Sequence, residues 1–536
     1  MSNHRSDRIM AAQEPADLCV IGGGATGAGC ALDARLRGLR TVLVEAADFA
    51  SGASSASTKM AHGGVRYLQE AVTSFDSKQF RFVGHSLHER RTLLRNAPHL
   101  SRPLEFLIPC PSRSHQLYYG IGVKIYDWIA GSERLIPSRF LSRREALSRL
   151  PALHPERTTA AVSYSDGQFD DARYNLALID SFCREDGAAV NYARVTAFER
   201  NGGGKLVSAV VEDRVGGGQF HVKARCFLNA TGPYSDAIRL LAAPQAIPRM
   251  RPSKGVHILF PLDDFPEDTA LLVPKTEDGR VIFAIPWLGR LLVGTTDDAI
   301  APDAPLHVTP AEVEYLLRQL NPYLARPRSA SEVVSSFAGI RPLVASPGVR
   351  DTKTLIRDDE VEVDETSGLV SILGGKWTTY RLMAERTIDR VESRLGRSLT
   401  PCSTREYPLS GAKGFSVDYW RTLRPRVSEA TARHLASKYG TQAEKVVDLM
   451  TQKRELALPL VEGMPQIRAQ IIYAAREEMA VTLEDVLARR LGLQFYGWSE
   501  ALAAAQPAAE LLSRELHWPP GKTETELAAY RAVHQI

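Results

Sequence analysis

Cysteine is scarce in this 536-residue chain. The six present (Cys19, Cys30, Cys110, Cys183, Cys226 and Cys402) lie far apart and form no CxxC pair. That argues against a disulfide framework or a zinc site and for a reducing compartment. The last third of the chain holds Cys402 alone, so it cannot ligate a four-cysteine iron–sulfur cluster. No uninterrupted apolar run approaches the roughly 18–20 residues of a membrane-spanning helix. The opening "MSNHRSDRIMAAQEPAD" has no apolar core of the kind a signal peptide carries. A soluble protein, or one resting on a single membrane face, is expected. A large excess of one charge is missing too: a formal net of +4 argues against a dedicated nucleic-acid binder, while leaving room for a local basic patch. What remains is ordinary globular composition in a chain too long for one simple core, so two or three domains are expected.

The stretch "DLCVIGGGATGAGCALDARLRGLRTVLVEAADF" (17–49) reads as strand, turn, helix, strand. Leu18–Ile21 is a short apolar run suited to a buried parallel strand. Gly22, Gly24 and Gly27 match GxGxxG, a helix-forming segment follows, and Gly38 sits where a helix stop is expected. Glycines there permit the tight turn and let backbone N–H groups approach a pyrophosphate at the positive end of the helix. Glu45 closes the second strand, 21 residues after Gly24, where a carboxylate accepts from ribose hydroxyls and repels a 2′-phosphate. The unit predicts a dinucleotide site and leaves FAD or NAD open. Its position at the start of a long chain suits FAD, and so does the later strand "CFLNATGPYSD" (226–236), whose Gly232 end could close over the same site.

Other segments bring chemistry. "SSASTKMAHGGVRYL" (54–68) begins like a linker, then sets Lys59, His62 and Arg66 around Gly63-Gly64. "KGVHILF" (254–260) puts Lys254 and His257 at the head of an apolar strand, and "IFAIPWLGRLLVGTTDD" (282–298) predicts a hairpin ending in hydroxyls and a carboxylate. Arg341 precedes Pro342, so it is expected to be extended and to need an anionic partner if buried. "ILGGKWTTYRLMAE" (372–385) ends a strand in Gly374-Gly375, then presents Lys376 and Thr378 at a helix start. It lacks Walker spacing and suits a flavin pyrimidine edge or a substrate anion. "NGGGK" (201–205) and "VGGGQ" (215–219) have no helix after them and read as hairpin tips.

Together, "IGGGATGAG", "SGASSASTKMAHGGVRYL", "APHL", "YSDGQFDDAR", "NATGP", "GVHILFP", "GTTD", "GIRPLV" and "GGKWTTYR" closely resemble the FAD-dependent glycerol-3-phosphate dehydrogenase family, from about Asp17 into the C-terminal helices. The mitochondrial type and its bacterial relatives are the nearest in pattern. The sequence departs from the mitochondrial form in showing no transit peptide and no DxDxDG loop after residue 500. It also lacks the cysteine-bearing C-terminal domain of the anaerobic relative and the large insertion of the oxygen-using oxidases. The resemblance implies oxidation of sn-glycerol 3-phosphate to dihydroxyacetone phosphate, with hydride passing from C2 to flavin N5 and electrons then to membrane quinone. On it, Ser54, Ser55 and Lys59 serve the FAD phosphates and neighbouring flavin. His62, Gly63, Gly375 and Thr378 pass beside the flavin. Arg66, Tyr67 and Arg341 face the substrate. Lys376 either stabilises flavin charge or binds substrate. His257 is the preferred general base, with His62 its rival.

The expected architecture is α/β: a Rossmann-like FAD-binding domain of the amino-acid-oxidase type, an interleaved substrate-binding β-sheet domain and a C-terminal helical domain. The FAD-dependent region is expected at 15–400. Its FAD-binding parts are expected at about 15–95, 155–250 and 335–395, and its substrate parts at about 96–154 and 251–334. Residues 401–536 are expected to be helical, with capping and stop signals in "VTLEDVLARRLGLQF" (481–495) and no chemistry of their own. "HQLYYGIGVKIYDWIAGSERL" (115–135) mixes aromatic and basic residues. It suits either an interfacial helix or an ordinary buried one. The family resemblance places the protein in the bacterial cytoplasm, peripheral on the inner membrane, and is compatible with a homodimer. A peroxide-forming oxidase, another flavin oxidase of this fold and a non-catalytic flavin sensor are the competing readings.

Overall fold

Two β-sheets share the chain in a computed structural model that describes residues 5–64, 77–345 and 359–533. The first runs in the order Asp359–Val363, Val370–Gly374, Gln219–Asn229, Ala16–Ile21, Thr41–Val44 and Ala188–Val190. Its five inner and far strands pair in parallel. Along Ala16–Ile21, Leu18 and Val20 enter one core while Cys19 and Ile21 enter another. Burial on both faces explains why that strand reads as an unbroken apolar run. Helices Ala25–Leu36, Asp171–Arg184 and Tyr380–Arg394 cover one face. Strands Ala193–Arg200 and Leu206–Asp213 extend Gln219–Asn229 as an antiparallel meander, and its tips are the two triple-glycine stretches, as expected of hairpins.

The second sheet runs Asp298–Ala299, Ser253–Pro261, Arg290–Gly294, Ile282–Trp287, Thr269–Val273, Ser101–Cys110, Ala160–Phe169 and Met60–Ala61. Ser335–Arg341 and Arg139–Ser142 pair off this path. Ala160–Phe169 and Ser335–Arg341, expected among the FAD-binding parts, are both strands of this second sheet. The predicted hairpin at Leu288-Gly289 forms, with both residues at positive φ.

Beyond residue 400 the described residues form helices and turns with one isolated β-bridge between Pro459 and Ile467, packed on their own apolar core. Buried charges tie this part to the rest. Asp48 meets Arg489 and Arg490, Arg173 meets Glu478 at 2.7 Å, and Lys438 meets Asp170 at 2.5 Å. No helix among the described residues is long and apolar enough to cross a membrane.

Candidate active site

The two sheets bound a cavity of about 1000 Å³. One end is the turn after Ala16–Ile21. Gly22 has φ +112°, and a Cβ there would stand 2.6 Å from the Ala230 carbonyl oxygen, so only glycine fits. Ser54 Oγ accepts from the Ala25 N–H at 2.9 Å, capping helix Ala25–Leu36 from outside. Gly24 faces that hydroxyl and the cavity. Gly27 lies beneath the wall instead: a Cβ would come 1.9 Å from the Gly22 oxygen, so its role is to let helix and strand pack. Glu45 lines the cavity, accepting from the Gly23 N–H at 2.6 Å and the Ala47 N–H at 2.9 Å. Burial raises its pKa, against the pull of those two bonds. Each carboxylate oxygen keeps a lone pair for a further donor. Bare glycine backbone, a helix N-terminus and a fixed carboxylate fit the pyrophosphate and ribose of a dinucleotide.

Gly232, Gly375, Lys376, Thr378 and His62 also line the cavity. His62 is held by its own N–H, which donates to Thr378 Oγ1 at 3.1 Å. Lys376 Nζ sits 4.3 Å from the centroid of Phe82, a cation–π contact. Three expectations are corrected. Lys59 is wholly buried, paired with Asp171 at 2.6 Å and donating to the Ser55 carbonyl. Neither Lys59 nor Ser55 borders the cavity. The adjacent acids Asp170 and Asp171 are the signal for this arrangement, since two carboxylates at a buried helix start need counter-ions. Gly63 turns away as well: its N–H donates to Tyr126 Oη at 2.7 Å, and a Cβ would meet Leu87 and that hydroxyl. Arg66 and Tyr67 lie outside the described residues.

The opposite wall is the strand pair Ser253–Pro261 and Ser335–Arg341. Antiparallel register sets His257 against Phe337 and Ser253 against Arg341. The His257 ring stacks on Phe337, with centroids 4.8 Å apart and planes 14° from parallel. Its Nε2 lies 3.0 Å from Thr58 Oγ1, a residue that the sequence did not single out. Neighbouring Gly294 leaves room for the ring, because a Cβ would stand 2.2 Å from it. Burial, then Arg341 and Lys59, push the imidazole pKa well below its ordinary value, so it is neutral and can accept a proton. Arg341 has the anionic partner expected of it, Asp297 at 3.2 Å. It also donates to Thr295 Oγ1 at 3.0 Å and the Thr296 carbonyl at 2.9 Å while bordering the cavity. Lys254 is turned elsewhere, onto Glu312 at 2.7 Å.

Helix Arg113–Ala130 has one buried and one exposed face. Tyr126 is buried and donates to Asp166 at 2.8 Å, whereas Leu117, Tyr118, Ile121 and Trp128 are exposed, Trp128 by 79%. Tyr118 and Ile121 also border the cavity, as do Leu272, Val281 and Phe283 from the second sheet.

Residues 17–386 match the family described as FAD dependent oxidoreductase, and residues 402–523 match the C-terminal domain of alpha-glycerophosphate oxidase. A Caenorhabditis elegans protein, the probable mitochondrial glycerol-3-phosphate dehydrogenase, is 42% identical over 97% of this chain and 73% of its own length. The structure of the glycerol-3-phosphate dehydrogenase from Bacillus halodurans, complexed with FAD, covers 99% of this chain and 97% of that one. It does so at 29% identity with a TM-score of 0.79. The L-alpha-glycerophosphate oxidase of Mycoplasma pneumoniae shares the fold alone, at 17% identity and a TM-score of 0.55 over 72% of this chain and 96% of that one. This chain therefore belongs to the family of FAD-dependent glycerol-3-phosphate dehydrogenases, with FAD as its cofactor.

Proposed function

We propose that the chain oxidises sn-glycerol 3-phosphate to dihydroxyacetone phosphate and delivers the electrons to membrane quinone. The observation that carries this reading is a buried histidine and an arginine on neighbouring strands of one cavity wall, facing a slot that begins at the glycine turn. FAD held by Gly22, Gly24, Glu45, Ser54, Gly232, Gly375 and Thr378 supplies the hydride acceptor, flavin N5. His257 takes the proton of the C2 hydroxyl. Arg341 binds the phosphate, while Lys376 adds positive charge along the same cavity. A phosphate dianion at Arg341 offsets the guanidinium charge that lowers the His257 pKa, so substrate binding itself makes the base stronger.

The apolar side of the cavity, with Tyr118, Ile121, Leu272, Val281 and Phe283, suits a quinone ring. The exposed aromatic and aliphatic face of helix Arg113–Ala130 suits the membrane surface from which a quinone would come. On this reading the protein sits on the cytoplasmic face of a bacterial inner membrane.

Anaerobic titration of the yellow protein with glycerol 3-phosphate should bleach the flavin near 450 nm at about one equivalent; an unchanged spectrum would sink the activity. Re-oxidation by a short-chain quinone, with little peroxide in air, separates the dehydrogenase from the oxidase reading. Arg341→Ala should raise KM on the order of 10–100-fold, the worth of about 1.5–3 kcal/mol in charge-assisted hydrogen bonds. FAD content should hold. Equal loss of both would make Arg341 a structural residue.

A further inference from the structure

Lys59 is a buried cation that the mechanism above leaves unused. Its Nζ lies 5.1 Å from the ring of Trp287, 5.2 Å from Phe337 and 4.6 Å from Phe495. Phe495 comes from the C-terminal helical part and packs edge-on against Phe337 at 4.9 Å. Asp171 closes the remaining side and also receives the Ser57 hydroxyl at 2.7 Å. Lys59 has φ +60°, a left-handed conformation that costs a lysine on the order of 1 kcal/mol and persists where the surroundings over-determine it. Phe337 also stacks on the His257 ring, and the residue before Lys59, Thr58, makes the polar contact to His257 Nε2.

We propose that Lys59 is a positioning residue for the base: caged by Trp287, Phe337 and Phe495, it fixes His257 through Thr58 and sets the charge felt by the imidazole from behind Phe337. The inference rests on His257 being the base. The charged groups around that ring divide by element. Arg341, with Asp297 against it, faces it from the neighbouring strand, and Lys376 borders the same cavity. Lys59 and Asp171 lie behind Phe337, and Lys438, paired with Asp170, stands 5.9 Å from the Trp287 ring. Of these, Arg341 and Lys59 act on His257 directly, both disfavouring its protonation. Substrate phosphate offsets Arg341 alone, so Lys59 is the part of the field that stays constant through turnover.

The double variant Lys59→Met/Asp171→Asn removes both members of the pair, leaving neither charge buried alone. In FAD-replete protein, the acid limb of kcat/KM for glycerol 3-phosphate should move up by about one pH unit, toward the ordinary histidine value of about 6.5. Lys59→Arg, which keeps a cation, should leave it in place. A folded double variant with an unmoved acid limb would overturn the proposal, because lost stability alone does not shift a pH profile. If the double variant does not accumulate, Thr58→Val tests the link alone: an unchanged kcat/KM with FAD content held overturns the proposal, and a lowered kcat/KM with FAD content held supports it. An acid limb that survives in His257→Gln discards the base assignment instead.

Discussion

Replacing His257 with glutamine should slow anaerobic flavin reduction by glycerol 3-phosphate on the order of 10²–10⁴-fold, the span expected for a positioned general base. Glutamine keeps the size of the side chain and can still reach Thr58, while losing the ability to take a proton. FAD content and the visible spectrum of the oxidised protein should therefore hold. Stopped-flow traces at 450 nm read the rate, and the pH dependence identifies its cause. His257 is wholly buried, and its Nδ1 has no hydrogen-bond partner among the described residues. Its folded pKa is lowered by burial, Arg341 and Lys59. The neutral, competent form therefore prevails down to pH values well below the ordinary histidine range of about 6.5. Activity in the wild type should persist through mildly acidic pH before falling. A His257→Gln rate within threefold of wild type would transfer the base role to His62.

Asp48→Ala carries the second large effect, on stability rather than chemistry. Asp48 lies at zero exposure against Arg490, also at zero, and against Arg489. Burial alone would raise its pKa, but Arg490 and Arg489 overcome that and hold it below the ordinary carboxylate range. Removing the carboxylate leaves Arg490 buried with only backbone carbonyls to receive it, since the Asp485 and Glu484 carboxylates meet Arg489 alone of the two. Breaking a buried pair in this way costs about 3–5 kcal/mol, a large fraction of the roughly 5–15 kcal/mol that stabilises a domain. Asp48 follows Glu45 and Ala47 in the loop bordering the FAD slot. The variant should thus lose FAD on gel filtration and unfold several degrees lower. Asp48→Asn should recover part of both, and full FAD retention in Asp48→Ala would show that the loop holds its shape without the clamp.

The glycine turn, the glycine-rich hairpin tips and the Leu288-Gly289 hairpin were legible because each depends on neighbours in sequence, as does the extended backbone of Arg341 before Pro342. Lys59 misled for the opposite reason. Its counter-ion is 112 positions away and its side chain turns inward at a left-handed residue, neither of which a local pattern carries. The place of strand Ala160–Phe169 in the second sheet was not legible on similar grounds. All ten of its residues are buried, including Ser163, Ser165, Asp166 and Gln168. It therefore lacks the polar–apolar alternation by which a half-buried strand is read. One of its acids, Asp166, is held by Arg90 and Tyr126, both distant in sequence. Asp48 was invisible as a clamp because its guanidiniums lie 441 and 442 positions on.

The order of strands in the first sheet also sets a schedule for synthesis. Ala16–Ile21 lies between Thr41–Val44 and Gln219–Asn229, and the latter pairs in turn with Val370–Gly374. At about 5–20 residues per second, the glycine turn waits tens of seconds on the ribosome before its sheet can close. One edge of the apolar strand Ala16–Ile21 stays unpaired until Gln219–Asn229 emerges, which is the period when aggregation competes with folding. FAD can be captured only by a nearly finished chain, so supply of the cofactor at the end of translation, more than at its start, should govern the yield of active enzyme.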